Sequence, residues 1–215
     1  AVLTIVLKSL TSAFSAGEST TLTTSTTQTT IARATLNTIS TVSAILPGIA
    51  VASTVDLPST FAADLGLAAN EAVDIVISTT SAQPFQGNYT LISPTVSISV
   101  SLASSSTGTL SVTGLSTPIV IVIPTTTTPP DPNADGVPLR YLQCAYWDAA
   151  AGALSNEGCQ RQVTADDSLS TTCSCTHLTD FVVNAAYDNT VKSSSSSSSH
   201  SSSSSHSSSS SSSHS

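Results

Sequence analysis

The period of hydrophobic positions changes near residue 48. Over residues 1–16, Leu3, Leu7, Leu10 and Phe14 recur at helical spacing. A Thr-rich stretch, Ser19–Thr30, interrupts, after which Ile31, Leu36, Ile39, Val42 and Leu46 fall roughly on one helical face that ends at Pro47-Gly48. The pattern predicts two short helices, built from Thr- and Val-containing segments with weak helix propensity. Beyond Gly48 the period becomes two. Ala72–Ser78 reads as a strand, and residues 95–102 alternate Val96, Ile98, Val100 and Leu102 with Ser97, Ser99 and Ser101, the pattern of a half-buried antiparallel strand. Ser104–Gly108 supplies a turn and Thr109–Val112 the start of a returning strand. Ile119–Ile123 is an unbroken aliphatic run, as in a strand buried on both faces, and a proline-rich loop, Thr125–Pro138, leads into Leu139–Asp148. The predicted fold class is mostly β, an antiparallel β-sandwich preceded by short helices.

Composition adds a tail and a compartment. Serine and threonine fill 77 of the 215 positions while only 8% are charged, so hydroxyl groups must do most of the solvating. From Ser193 to Ser215 there are only Ser and three His (His200, His206, His214), with nothing to bury against the entropy of ordering. The expected organisation is a helical, Thr-rich lead-in (1–46), a β-sandwich (47–187) and a disordered Ser/His linker (188–215). A net charge of −8 argues against nucleic acid or an anionic membrane surface as partner. No apolar run reaches the 18 or so residues of a membrane span, and Ala1–Leu7 lacks the features of a signal peptide, so the chain reads as a piece of a longer protein.

Four cysteines, Cys144, Cys159, Cys173 and Cys175, crowd into the last quarter of the foldable part. Their even number, the paucity of lysine and a sequon at Asn88-Tyr89-Thr90 point to an extracellular segment with a glycosylated Asn88. Three pairings are open. A zinc site with His177 as an extra ligand is the rival, but one C-x-C and two isolated cysteines do not make the two knuckles of a structural zinc site. Disulfides are expected, with no metal and no cofactor. Asp148, Asp166 and Asp167 read as solvated loop acids, short of the ligand count for Ca²⁺.

Spacing at the end of this segment carries the chemistry. Cys173, Cys175, His177 and Thr179 are each two apart, so in an extended strand all four share a face. A base and a hydroxyl nucleophile would then stand beside a doubly stapled strand, an arrangement suited to chemistry on the local backbone.

These residues resemble the GPS motif that ends the GAIN domain of adhesion-type G-protein-coupled receptors and polycystin-like membrane proteins. The family pattern, C-x₂-W, a second W, G-C and C-x-C-x-H-L-[ST]-x-F, is met by Cys144-Ala-Tyr-Trp147, Gly158-Cys159 and Cys173-Ser-Cys175-Thr-His177-Leu178-Thr179-Asp-Phe181. Leu154 replaces the second Trp. The motif covers about 40 residues, and a looser match of the upstream strands extends the resemblance over about residues 45–187. The resemblance implies Cys144–Cys173 and Cys159–Cys175 disulfides, and Trp147, Gly158 and Phe181 as structural motif positions. It also implies self-cleavage between Leu178 and Thr179. In that reaction His177 takes the proton of Thr179 Oγ, the oxygen attacks the Leu178 carbonyl, and water hydrolyses the resulting ester. A free Thr hydroxyl is a weak nucleophile and needs an adjacent base, for which imidazole has a suitable pKa. Attack from about 3 Å further requires a kink in the strand, held by the disulfides.

After cleavage, Phe181, Val183 and Ala185 would keep the strand 179–187 buried as the partner of the rest of the chain. The function implied is an extracellular, juxtamembrane autoproteolytic domain of a receptor-like or polycystin-like surface protein, with neighbouring domains as partners and no multiple-turnover activity. The alternative is a structural or adhesion module of the same fold that does not cut. An unrelated secreted disulfide protein would require an accidental motif and a different pairing. The bland readings are His177 as a packed polar residue, Trp147 as core packing and the tail histidines as part of a flexible stalk.

Overall fold

A computed structural model describes residues 13–39, 41–82, 85, 87, 89–105, 108–126, 140–163 and 169–187. Its strands are β1 (Ser19–Thr23), β2 (Thr27–Thr35), β3 (Thr41–Ala44), β4 (Ser53–Asp56), β5 (Ala72–Thr80), β6 (Thr95–Leu102), β7 (Ile119–Pro124), β8 (Arg140–Asp148), β9 (Ala153–Ser155), β10 (Cys159–Gln162), β11 (Ser170–Cys175) and β12 (Asp180–Tyr187). One helical turn, α1 (Phe61–Asp64), lies between β4 and β5. The strands form a seven-stranded sheet in the order β1-β2-β5-β6-β12-β8-β9 and a five-stranded sheet in the order β10-β11-β7-β4-β3. Neighbours pair antiparallel throughout.

Period-two alternation places the core between the sheets. Val73, Ile75 and Ile77 of β5 and Val96, Ile98 and Val100 of β6 face Val55 of β4 and Ile119, Ile121 and Ile123 of β7, with Phe61 of α1 in the same cluster. On the opposite face of the larger sheet, Arg33 of β2 stands in register with Asp74 of β5 and grips it through two bonds, Nε to Oδ1 at 2.7 Å and Nη2 to Oδ2 at 2.8 Å. Asp74 raises the Arg33 pKa in return.

Several expectations are corrected. Residues 31–46 are not helical. They hold the end of β2, a turn and β3, because five of the nine residues of Thr27–Thr35 are β-branched and the whole segment pairs in register with β5. The strands before residue 47 therefore belong to the two sheets. Most of the helix expected over 1–16 lies outside the described residues, as do Asn88, most of the proline-rich loop, Asp166, Asp167 and the Ser/His tail. Residues 109–112 form no strand, although the Leu110 N–H still bonds the Val100 carbonyl at 2.7 Å. Over Ile119–Ile123 of β7 only alternate residues are buried, Val120 and Val122 being half-buried, so that run is fully covered on one face alone.

Candidate functional site

The site grows from β11. Within this strand Cys173 and Cys175 point into the core and are completely buried. Cys173 bonds to Cys144 of β8, a strand of the other sheet, with a Cα–Cα distance of 5.8 Å. Cys175 bonds to Cys159, its register partner on β10, at a Cα–Cα distance of 4.2 Å. One bridge thus ties the two sheets and the other closes the edge of the smaller sheet. Both anchor the last three residues of β11.

Strand geometry ends at Cys175. Thr176, His177, Leu178 and Thr179 leave the smaller sheet and deliver the chain into the larger one, where β12 begins at Asp180 between β6 and β8. The shared face expected for Cys173, Cys175, His177 and Thr179 therefore holds only for the cysteines. His177 and Thr179 lie instead on a four-residue crossing between layers, each half-buried. Among the described residues no peptide is cis and no non-glycine residue has positive φ, so the change of direction at Leu178–Thr179 uses neither device.

Four backbone hydrogen bonds hold this crossing. The Thr176 N–H donates to the Gly158 carbonyl at 2.9 Å, and the Thr176 carbonyl accepts from the Leu115 N–H at 2.9 Å. The Leu178 N–H donates to the Val112 carbonyl at 3.1 Å, and the Thr179 carbonyl accepts from the Ile98 N–H at 3.2 Å. Leu178 itself packs half-buried against the core.

The imidazole of His177 sits between aromatic rings. Tyr146 meets it edge-on at 4.4 Å between centroids, and Phe181 lies tilted at 5.7 Å. Its Nε2 is buried without a hydrogen-bond partner among the described residues. Burial in this apolar surround pushes the His177 pKa below the ordinary imidazole value, and the negative charge of Glu157 pulls it partly back. The neutral ring is thus favoured, the form that can accept a proton. Gly158, which follows Glu157, has φ +70° and no room for a side chain beside Thr176 and His177.

Other motif residues frame the site. Phe181 is 1% exposed and belongs to the core. Trp147 differs from the core role expected: β8 alternation turns it away from the inter-sheet cluster, and it stacks on Phe85 at 5.5 Å and 17°. Leu154, at the position of the second Trp, is the register partner of Trp147, and its N–H donates to the Tyr89 hydroxyl at 3.2 Å. Asp148 accepts the Ala150 and Ala151 N–H groups and shapes the β8–β9 turn. Among the described residues no group of three or more His, Cys, Asp or Glu is placed to hold a metal ion.

Sequence reasoning missed Tyr146, Glu157, Val112 and Leu115. Tyr146 had a signal, because strand parity puts it on the same face as Cys144. The backbone contacts of Val112 and Leu115 had none.

A family model described as GAIN subdomain B matches residues 4–189. This chain belongs to that family. The fold agrees with a solved structure, the full extracellular region of zebrafish Gpr126/Adgrg6, at a TM-score of 0.54 and 20% identity over 77% of this chain. The chain spans 23% of that structure's length, so the likeness concerns the GAIN fold alone. No curated protein matches in sequence.

Proposed function

We propose that this GAIN domain cuts its own backbone between Leu178 and Thr179, in the extracellular region of a membrane protein of the adhesion-receptor or polycystin-like kind. The observation that carries the reading is the position of His177-Leu178-Thr179. These residues form a short crossing between two sheets, directly after two disulfide anchors, with a neutral-favouring imidazole two residues before the hydroxyl.

The steps balance within the chain. His177 takes the proton from Thr179 Oγ, and the oxygen adds to the Leu178 carbonyl carbon. The C–N bond then breaks, the proton passes to the departing nitrogen, and Leu178 is left as an ester on Thr179 Oγ. Water hydrolyses that ester, restoring the hydroxyl and leaving a Leu178 carboxylate and a Thr179 amino terminus. The crossing is anchored on both sides of the reacting bond, which supports a fixed geometry of attack.

The new C-terminal piece would remain bound. Phe181, Val182, Val183 and Ala185 are all buried, and β12 pairs with β8 from Phe181 to Tyr187. The Val183 N–H also donates to the buried Ser93 hydroxyl at 2.7 Å, and the Val183 carbonyl accepts from Ile92 at 3.0 Å. Large side chains buried in this way are worth about 1.5–3 kcal/mol each. Intact-mass measurement of the secreted chain under denaturing conditions tests the reading. A folded, fully disulfide-bonded chain without a cut would instead make this a structural module.

A further inference from the structure

α1 is a single turn, rooted in the core by Phe61 and Ala62, and its last residue is solvent-exposed. The sequence pattern marks that residue, Asp64, with no role. Its carboxylate nevertheless reaches across to the segment before β7. The Ser116 hydroxyl donates to Asp64 Oδ1 at 2.7 Å and the Ser116 N–H to Oδ2 at 3.2 Å. The Thr60 hydroxyl donates to the same Oδ2 at 3.2 Å, fixing the carboxylate on its own turn. These bonds hold the Asp64 pKa below the usual carboxylate value, with the Ser116 hydroxyl the largest cause.

Ser116 directly follows Leu115, and this is where the contact acquires meaning. Residues 112–115 are an irregular stretch with Val112 and Leu115 buried in the core. Its backbone makes two of the four bonds to the crossing: the Leu115 N–H donates to the Thr176 carbonyl, and the Val112 carbonyl accepts from the Leu178 N–H. An irregular segment has no ladder to keep its register, so a pair of charge-assisted hydrogen bonds at its end limits how far it can slide. The chain of contacts runs from the core through Phe61 to Asp64, then Ser116, then Leu115 and Val112, and ends on the residues either side of His177.

We propose that Asp64 is a positioning residue for the Leu178–Thr179 connection, acting by clamping the 112–116 segment against which Thr176 and Leu178 are hydrogen-bonded. The clamp stands on geometry alone, and its effect on cutting rests on the self-cleavage reading.

The test separates the two. In the full chain carrying Thr179→Ala, amide hydrogen exchange is measured with and without Asp64→Ala. The amides of Leu115 and Leu178 should exchange about fivefold faster in the double variant, while that of Val183 in β12 stays unchanged. Asp64→Asn, which keeps one acceptor oxygen, should fall between. With Thr179 restored, the cutting rate should decline in the same order. Unchanged exchange at Leu178, or equal acceleration at Val183, overturns the clamp, as does cutting at the parent rate by Asp64→Ala. Faster exchange at Leu178 in a parent chain that never cuts upholds the clamp and removes the self-cleavage reading instead.

Discussion

Gly158 lies directly against His177: a Cβ built on the glycine would come 3.2 Å from Nδ1 of the imidazole and 2.7 Å from Oγ1 of the adjacent Thr176. With φ +70° it also occupies the left-handed region that disfavours side chains. Gly158→Ala should therefore do two things. It should cost about 1–2 kcal/mol in backbone strain, and it should push the imidazole from its place. A displacement of that kind slows a positioned reaction by roughly 10- to 100-fold. The fraction of chain cut, read by denaturing electrophoresis beside the thermal midpoint, distinguishes this from simple loss of fold.

The electrostatics of His177 set a pH dependence. Burial is the larger influence and holds its pKa below the ordinary value, with Glu157 opposing. A histidine depressed in this way binds fewer protons folded than unfolded between its two pKa values. Its contribution to stability is complete above about 6.5, the unfolded value, and is lost as pH falls through the folded value. The base form likewise persists below pH about 6.5, so the cutting rate should stay flat there and fall only at more acidic pH. Glu157→Gln should move that fall to still lower pH. An NMR titration of His177 in the Thr179→Ala chain checks both shifts.

The disulfides differ in what they join. Cys144–Cys173 spans the two sheets with a sequence separation of 29, and Cys159–Cys175 lies within one sheet with a separation of 16. Loop-closure entropy assigns each about 3–4 kcal/mol, slightly more for the first. Paired Cys→Ala replacement of the inter-sheet bridge should thus lower stability by about that amount in denaturant unfolding. It should also slow cutting in the molecules that remain folded, because β11 loses its tie to the larger sheet, one of its two anchors ahead of the crossing.

β12 is the strand that keeps the fragments together. Phe181 is 1% exposed and contacts both the core and His177. Phe181→Ala should cost about 3–5 kcal/mol. In cut protein it should release the fragment 179–215 under native conditions, where the parent retains it. Size-exclusion chromatography reports which occurs.

Much of this was legible in the residues. The alternation of Val96 to Leu102 announced β6, because period two has a single physical reading once turns bound it, and the short β-branched run at Ile119–Ile123 announced β7 without revealing which of its faces is covered. The motif from Cys144 to Phe181 announced the family. What could not be read depended on partners distant in sequence. Ile31 to Leu46 mimics a helical face, and only its pairing with β5 and β4 decides otherwise. Parity carried Cys173 and Cys175 correctly and failed at His177, since nothing in the local pattern marks where the chain changes sheets. Trp147 looked like core until the β8 register turned it onto Phe85. The bonds from Val112 and Leu115 to the crossing are made by backbone atoms, which leave no residue-type signature.

Self-cleavage at Leu178–Thr179 is read outright by intact mass spectrometry, under denaturing conditions, of the chain expressed through a secretory pathway. The expected result is a separate fragment comprising residues 179–215 with Thr179 at its amino terminus, absent from the Thr179→Ala and His177→Ala chains. A single uncut mass from a folded sample with both disulfides closed would contradict it.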